Sequence, residues 1–191
     1  MPLRILSLFV LIAGLVLVAI GCGDNDGETR EDASAAVSEY FADYVAIDQD
    51  VNGRIRALKT AYPDNYFDVA DKTKFSLQQT KDSFSEYVAL FDEFLDRFED
   101  LTAPEQVQNL HRRTLDANQA VNAINHIRLD LLNGLTTAEE VDAIFLADDP
   151  EFAEAVTVQH ELCVEFEERA ADYNVVYDLP CAEVAEQPAA D

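Results

Sequence analysis

The sequence predicts an all-α protein: a four-helix up-down-up-down bundle with a short extra helix and an extended, disulfide-tethered C-terminal tail. Three observations carry that prediction. Apolar residues recur at three- and four-residue spacing through four long segments. The breaks between those segments are short, with Pro, Gly, Thr and Asp placed where helices stop or start. Sustained period-two alternation of the kind a half-buried strand needs is missing except near the end.

The first helix is expected from about Glu31 to Ala61, with Val37, Phe41, Tyr44, Val51, Ile55 and Leu58 on one stripe. Pro63-Asp64-Asn65 stops it, because proline disfavours helix in the residue before it. The second, Thr73 to Leu101, has the clearest period. Leu77, Phe84, Phe91 and Phe98 lie seven apart, and Thr80, Tyr87, Phe94 and Leu101 form the flanking row. Bulky residues in both rows make the seam of an antiparallel bundle. Thr102-Ala103-Pro104-Glu105 has the pattern of a capping box that opens a third helix, with Val107, Leu110, Ala117, Val121, Ile124, Leu131 and Leu132 on its apolar side. Gly134 ends it. A second box, Thr137 to Glu140, opens a short helix reaching about Leu146. Asp149-Pro150 then supplies a cap and a first helical residue for the last long helix, which buries Phe152, Val156, Phe166, Ala170 and Tyr173 and ends near Asn174. Val175 to Cys181 is expected to be extended.

The N-terminus carries a different signal. Met1 and Arg4 precede an uncharged apolar run from Ile5 to Ile20, shorter than the ~20 residues of a comfortable membrane span and suited to a cleaved leader. The residues Ala19-Ile20-Gly21-Cys22 resemble the lipobox of bacterial lipoproteins, with Ala19 where leucine is usual. The resemblance covers this segment alone. It implies a signal peptide over residues 1–21, thioether lipidation of Cys22 and N-acylation of the new terminus by a fatty acid such as palmitate. The protein would then be lipid-anchored at the cell membrane on its extracytoplasmic side, periplasmic or cell-surface. The alternative is an uncleaved signal anchor, but no Lys or Arg stop-transfer cluster follows the run. Residues 22–32 instead make a flexible acidic tether. The bundle is assigned to 33–173 and the tail to 174–191. The Leu-Thr-Ala-Pro-Glu turn leading to His111, with the terminal Cys-x17-Cys, is also similar to features of uncharacterised exported bacterial helical proteins, a likeness that implies no activity.

Assigning Cys22 to lipid leaves Cys163 and Cys181 as an even pair in an oxidising compartment. The chain between them is long enough to double back. A bridge would close a loop of about 19 residues, worth ~3 kcal/mol on the chain-entropy account. A redox or metal-binding pair is disfavoured, since there is no Cys-x-x-Cys and no Cys-His cluster.

The 191 residues carry 13 basic and 38 acidic side chains, a net charge of −25. That balance excludes a nucleic-acid backbone as partner. A hydrophobic content of 49% argues against a disordered chain. The charge is uneven. Residues 102–135 hold three basic and three acidic side chains, whereas residues 136–191 hold Arg169 alone against 16 acids. The neutral third helix is therefore where an apolar or anionic partner, such as another envelope protein, is expected to dock.

No catalytic motif emerges, and the sequence is assigned to binding or scaffolding rather than to an enzyme. The positions three before His111, His126 and His160 are Gln108, Ala123 and Thr157, so the Glu-x-x-His pattern of di-iron bundles is missing at each. His160-Glu161 is not followed by the second histidine of a zinc protease. No haem pattern is present, and no cofactor is expected. Asp48, Asp50, Asn52 and Gly53 match the first half of an EF-hand loop, but Lys59 occupies the position of the bidentate carboxylate. The favoured reading is an unbroken helix through this segment, with the calcium loop an outside alternative. His111, Asn118 and Asn125 lie seven apart beside Thr114 and Asn122. This row either forms a partner or ligand face or supplies hydrogen bonds inside the bundle. The leading function is a lipid-anchored binding or scaffold module. The alternative is a cation- or small-ligand-binding lipoprotein.

Overall fold

The structure, a computed structural model, describes residues 30–68, 75–146, 149–175 and Cys181. The signal peptide, Cys22 and the tether as far as residue 29 lie outside the described residues, as does the tail apart from 174, 175 and Cys181.

Among the described residues the architecture is all-helical: α1 (Arg30–Ala61), α2 (Leu77–Glu99), α3 (Gln108–Gly134), α4 (Asp142–Phe145) and α5 (Pro150–Asp172). Four long helices make the bundle, packing in the cyclic order α1, α2, α3, α5. Cross-helix pairs fix the directions. Asp50 meets Arg97 while Arg54 meets Glu93, so α1 and α2 are antiparallel. Arg113 meets Glu165 while Arg128 meets Asp149, which makes α3 and α5 antiparallel too. The first three of these pairs are largely exposed and stabilise little, while Arg128 is buried; all four fix the register.

The first helix is unbroken from Arg30 to Ala61 and runs through Gly53. Arg30 to Asp32, assigned to the tether, form its first turn. The α1–α2 connection is pinned by Asn65, which is wholly buried. Its Nδ2 donates to the Tyr62 carbonyl (2.6 Å) and to Asp68 (2.8 Å), and its Oδ1 accepts from Phe67 N (2.8 Å). Tyr66 then reaches α4 through a 2.6 Å hydroxyl bond to Asp142. Burial and that carboxylate push its hydroxyl pKa up to about 12.

Three expectations are corrected. The second helix begins at Leu77, capped by the Ser76 hydroxyl, rather than at Thr73. The third begins at Gln108, and Val107 at its cap position makes no side-chain bond. Thr102-Ala103-Pro104-Glu105 is therefore a turn leading into the helix and not a capping box, because the chain closes there through Val107 N to the Pro104 carbonyl (3.0 Å). Leu131, expected on the apolar side of that helix, is 55% exposed, while Arg128 one turn earlier is buried. The bundle turns the 114-118-121-125-128 row inward, and that row is mostly polar.

The C-terminal half follows expectation more closely. Asp149 caps α5 by accepting from Phe152 N at 3.0 Å, with Pro150 at the first helical position. The helix ends at Asp172 with Tyr173 as its cap, and Asn174 just beyond, with a φ of 62°, takes the left-handed conformation that asparagine tolerates. Val175 N then bonds the Ala170 carbonyl (3.1 Å) and Asn174 N the Ala171 carbonyl (3.0 Å). Cys163 and Cys181 form the expected disulfide, their Cα atoms 5.7 Å apart.

The main core lies toward the α2–α3 turn. Phe166 of α5 sits among Tyr44 (ring centroids 4.2 Å), Phe41 (4.9 Å), Tyr40 (6.1 Å) and Phe98 (6.3 Å). A smaller cluster of Tyr66, Phe84, Val88, Leu132 and Val141 closes the opposite end.

Candidate functional site

Between these two clusters the bundle encloses a cavity of about 800 Å³, lined by all four long helices. Its origin is the α1/α5 seam. The other three neighbouring pairs approach closely backbone to backbone, whereas α1 and α5 do not, and their ring contacts gather at one end around Phe41, Tyr44 and Phe166. Past that point α5 offers Phe152, Val156, Gln159 and Cys163, and α1 offers Val51, Asn52, Ile55 and Leu58. These side chains do not bridge the space. The lining includes the exposed residues Arg56, Lys59 and Phe67, where the cavity meets the surface. A volume of this order is what drug-sized ligands occupy.

One wall is aromatic. Phe84, Tyr87, Phe91 and Phe94 follow one another up α2 with ring centroids 5.8–6.1 Å apart and planes within 20°. The heptad and its flanking row produce this ladder directly, because residues three and four apart share a helix face.

The adjoining wall is the polar row of α3. Asn118 Nδ2 donates to the Thr114 carbonyl (2.8 Å), and Asn118 Oδ1 accepts from Gln159 Nε2 of α5 (2.7 Å). Asn125 bonds the Tyr87 hydroxyl, an effect that lowers that hydroxyl's pKa against the larger upward push of burial. Arg128 stacks its guanidinium 3.6 Å from the centroid of the Phe152 ring and donates from Nη2 to Asp149 (3.2 Å). Burial lowers its pKa, and the Asp149 carboxylate partly offsets the shift. Two buried atoms on this wall find no partner among the described residues: Thr114 Oγ1 and Arg128 Nε. A buried polar group left unpaired costs about 1–3 kcal/mol, so both are unusual features of a core.

Of the row singled out in the sequence, Asn118 and Asn125 thus line the cavity. His111 stands outside it, with Nδ1 3.0 Å from the Tyr40 hydroxyl and its ring 4.5 Å from that of Phe98. Asn122 turns to α2, where Nδ2 donates to Asp92 at 2.6 Å.

No family model, curated protein or solved structure matches the chain.

The EF-hand candidates do not converge. Asp48 accepts from Asn52 Nδ2 one helical turn on (2.8 Å), and Asp50 faces α2 to pair with Arg97 at 2.6 Å. Continuous helix spaces these carboxylates along a rod and aims them at different neighbours. Among the described residues no group of three His, Cys, Asp or Glu side chains could hold a metal ion. The same residues contain no helix long and apolar enough to cross a membrane.

Arg128 and Gln159 were not singled out from the sequence, and Phe152 and Val156 were read there only as core positions of the last helix. A signal existed for the first: Arg128 follows Asn125 by three and continues the row at seam spacing. For the α5 residues there was none, because what matters is the gap they leave.

Proposed function

We propose that this chain is a membrane-tethered ligand-binding lipoprotein that takes a small, largely apolar molecule into the α1/α5 cavity. The observation that carries this reading is the cavity's makeup. An aromatic ladder adjoins a row of amides, with a hydroxyl, Thr114 Oγ1, buried at its side and unpartnered among the described residues. A core built only for stability would fill such a space, since interiors pack to crystal density.

Support for the anchor comes from Cys22 in its lipobox-like setting and from the Cys163–Cys181 disulfide, which suits an oxidising compartment. If the acyl chains sit on Cys22, the N-terminal end of α1 faces the membrane. The cavity's exposed lining at Lys59 then lies ~44 Å further along that helix. Binding is favoured over catalysis because none of the cavity's polar groups forms a nucleophile–base pair.

The cavity reading is tested with Nile red, a neutral apolar dye that brightens in dry surroundings. Saturable one-to-one binding to the full chain is expected, together with its loss in Val156→Trp, which fills the space from α5. Binding of equal strength in that variant would refute the reading. Mass spectrometry of the membrane fraction tests the anchor: a diacylglycerol-modified Cys22 is expected at the mature terminus, and a free thiol there would sink the lipoprotein assignment.

A further inference from the structure

The charge inside the cavity runs against the charge of the rest of the molecule. The chain carries 13 basic and 38 acidic residues, yet among the described residues the lining has Arg56, Lys59 and Arg128 against Asp48 and Asp68. Both carboxylates are engaged, Asp68 with Lys59 (3.2 Å) and Asp48 with the Asn52 amide (2.8 Å). Arg128 is the buried member of the basic set, its side chain 10% exposed. Its carboxylate neighbour among the described residues, Asp149, is shared, because the other oxygen of Asp149 caps α5 through Phe152 N. Arg128 Nε, on the same planar fork, has no acceptor among the described residues and is itself shut off from the cavity, so a ligand meets the part of the guanidinium that stays exposed. A guanidinium edge in the wall of an apolar cavity is matched by an oxyanion, whose charge-assisted bonds are the strong kind.

The shape of the site sets the rest of the ligand. Thr114 and Arg128 are fourteen residues apart on one helix, ~21 Å along its axis. No compact ligand reaches both, whereas an extended one spans the cavity from the Arg128 end to the Thr114 end along Ile55, Phe91 and Val156.

We infer that the ligand is an elongated amphipathic carboxylate, its acid group held by Arg128 and its apolar body lying between the α2 aromatic ladder and α5. The inference rests on the cavity reading proposed above and adds the charge and the orientation. An acidic surface repels such an anion at long range, so selectivity resides in the cavity itself, where a partly buried charge is screened less than the surface charges are.

The test uses dodecanoate and its neutral counterpart dodecanol, titrated calorimetrically below their aggregation limits into the full chain. The signal removed by Val156→Trp defines the cavity component. Dodecanoate is expected to bind about tenfold more tightly than dodecanol in that component, as one charge-assisted hydrogen bond implies. The preference is expected to vanish in Arg128→Gln while dodecanol binding persists, which also shows that the variant is folded. Equal binding of the two probes by the unaltered protein overturns the inference and leaves the cavity reading standing. So does an undiminished preference in Arg128→Gln. If neither probe nor Nile red shows a component sensitive to Val156→Trp, both readings fall together.

Discussion

Near the α2–α3 turn, α1 and α5 meet through Phe41, Tyr44 and Phe166. Toward the other end the same two helices face each other across Val51, Ile55 and Val156 and leave a cavity. Backbone and topology are common to both halves; side-chain size and polarity differ. In the closed half, one phenylalanine on α5 fills the space that three aromatics on α1 and another on α2 outline. The disulfide and the 3.1 Å bond from the Ser38 hydroxyl to the Tyr173 carbonyl fasten that end. In the open half α5 turns Phe152, Val156, Gln159 and Cys163 toward the cavity, with a valine and a glutamine at its middle level, and the α3 seam they face is mostly polar. A bundle thus makes a pocket without any special backbone feature, simply by placing small and polar residues where a heptad asks for large apolar ones.

The sharpest way to break this contrast is to truncate one residue in each half. Phe166→Ala is expected to cost about 3–5 kcal/mol in urea unfolding, because it opens a void among rigid rings that cannot collapse. Val156→Ala, already facing open space, is expected to cost less than about 1.5 kcal/mol. Equal costs would mean that the two halves are packed alike and that the cavity closes in solution.

The same contrast explains what was legible in the sequence. Helix number, order and direction follow from apolar periodicity, and the α5 boundaries follow from Asp149-Pro150 and Asn174, whose chemistry acts locally. The α2 seam was readable because it is made of phenylalanines. The α3 seam was misjudged at one edge because hydrophobicity favours Leu131 over Arg128. The bundle instead buries Arg128, whose stem packs and whose guanidinium finds Phe152 and Asp149. The false capping box at Thr102 has a similar cause: a short motif competes with the path the chain must take between two packed helices. The cavity itself was illegible. It depends on two helices 100 residues apart both presenting short side chains at one level, and neither sequence segment carries that information alone.

A smaller effect sharpens the comparison from the closed side. His111 is held there between the Tyr40 hydroxyl and the Phe98 ring, with the Glu99 carboxylate as the charge that acts on it. Burial lowers its pKa below the ordinary value, and Glu99 opposes the shift more weakly. Burial also raises the pKa of the Tyr40 hydroxyl, so that group stays protonated and can donate to Nδ1 of the neutral imidazole. With the folded pKa below the unfolded one, the unfolded chain binds the proton more readily. The contribution of His111 to stability is therefore complete above about pH 6.5 and is lost as pH falls through its folded value. Carboxylates elsewhere also weaken the fold in acid, so the quantity to measure is the difference between the parent and His111→Gln, which keeps a hydrogen-bonding group near Tyr40. The stability advantage of the parent is expected to shrink steadily between about pH 7 and pH 5. An advantage that holds constant across that range would show that the imidazole remains solvated and that the closed half is looser around His111 than its ring contacts imply.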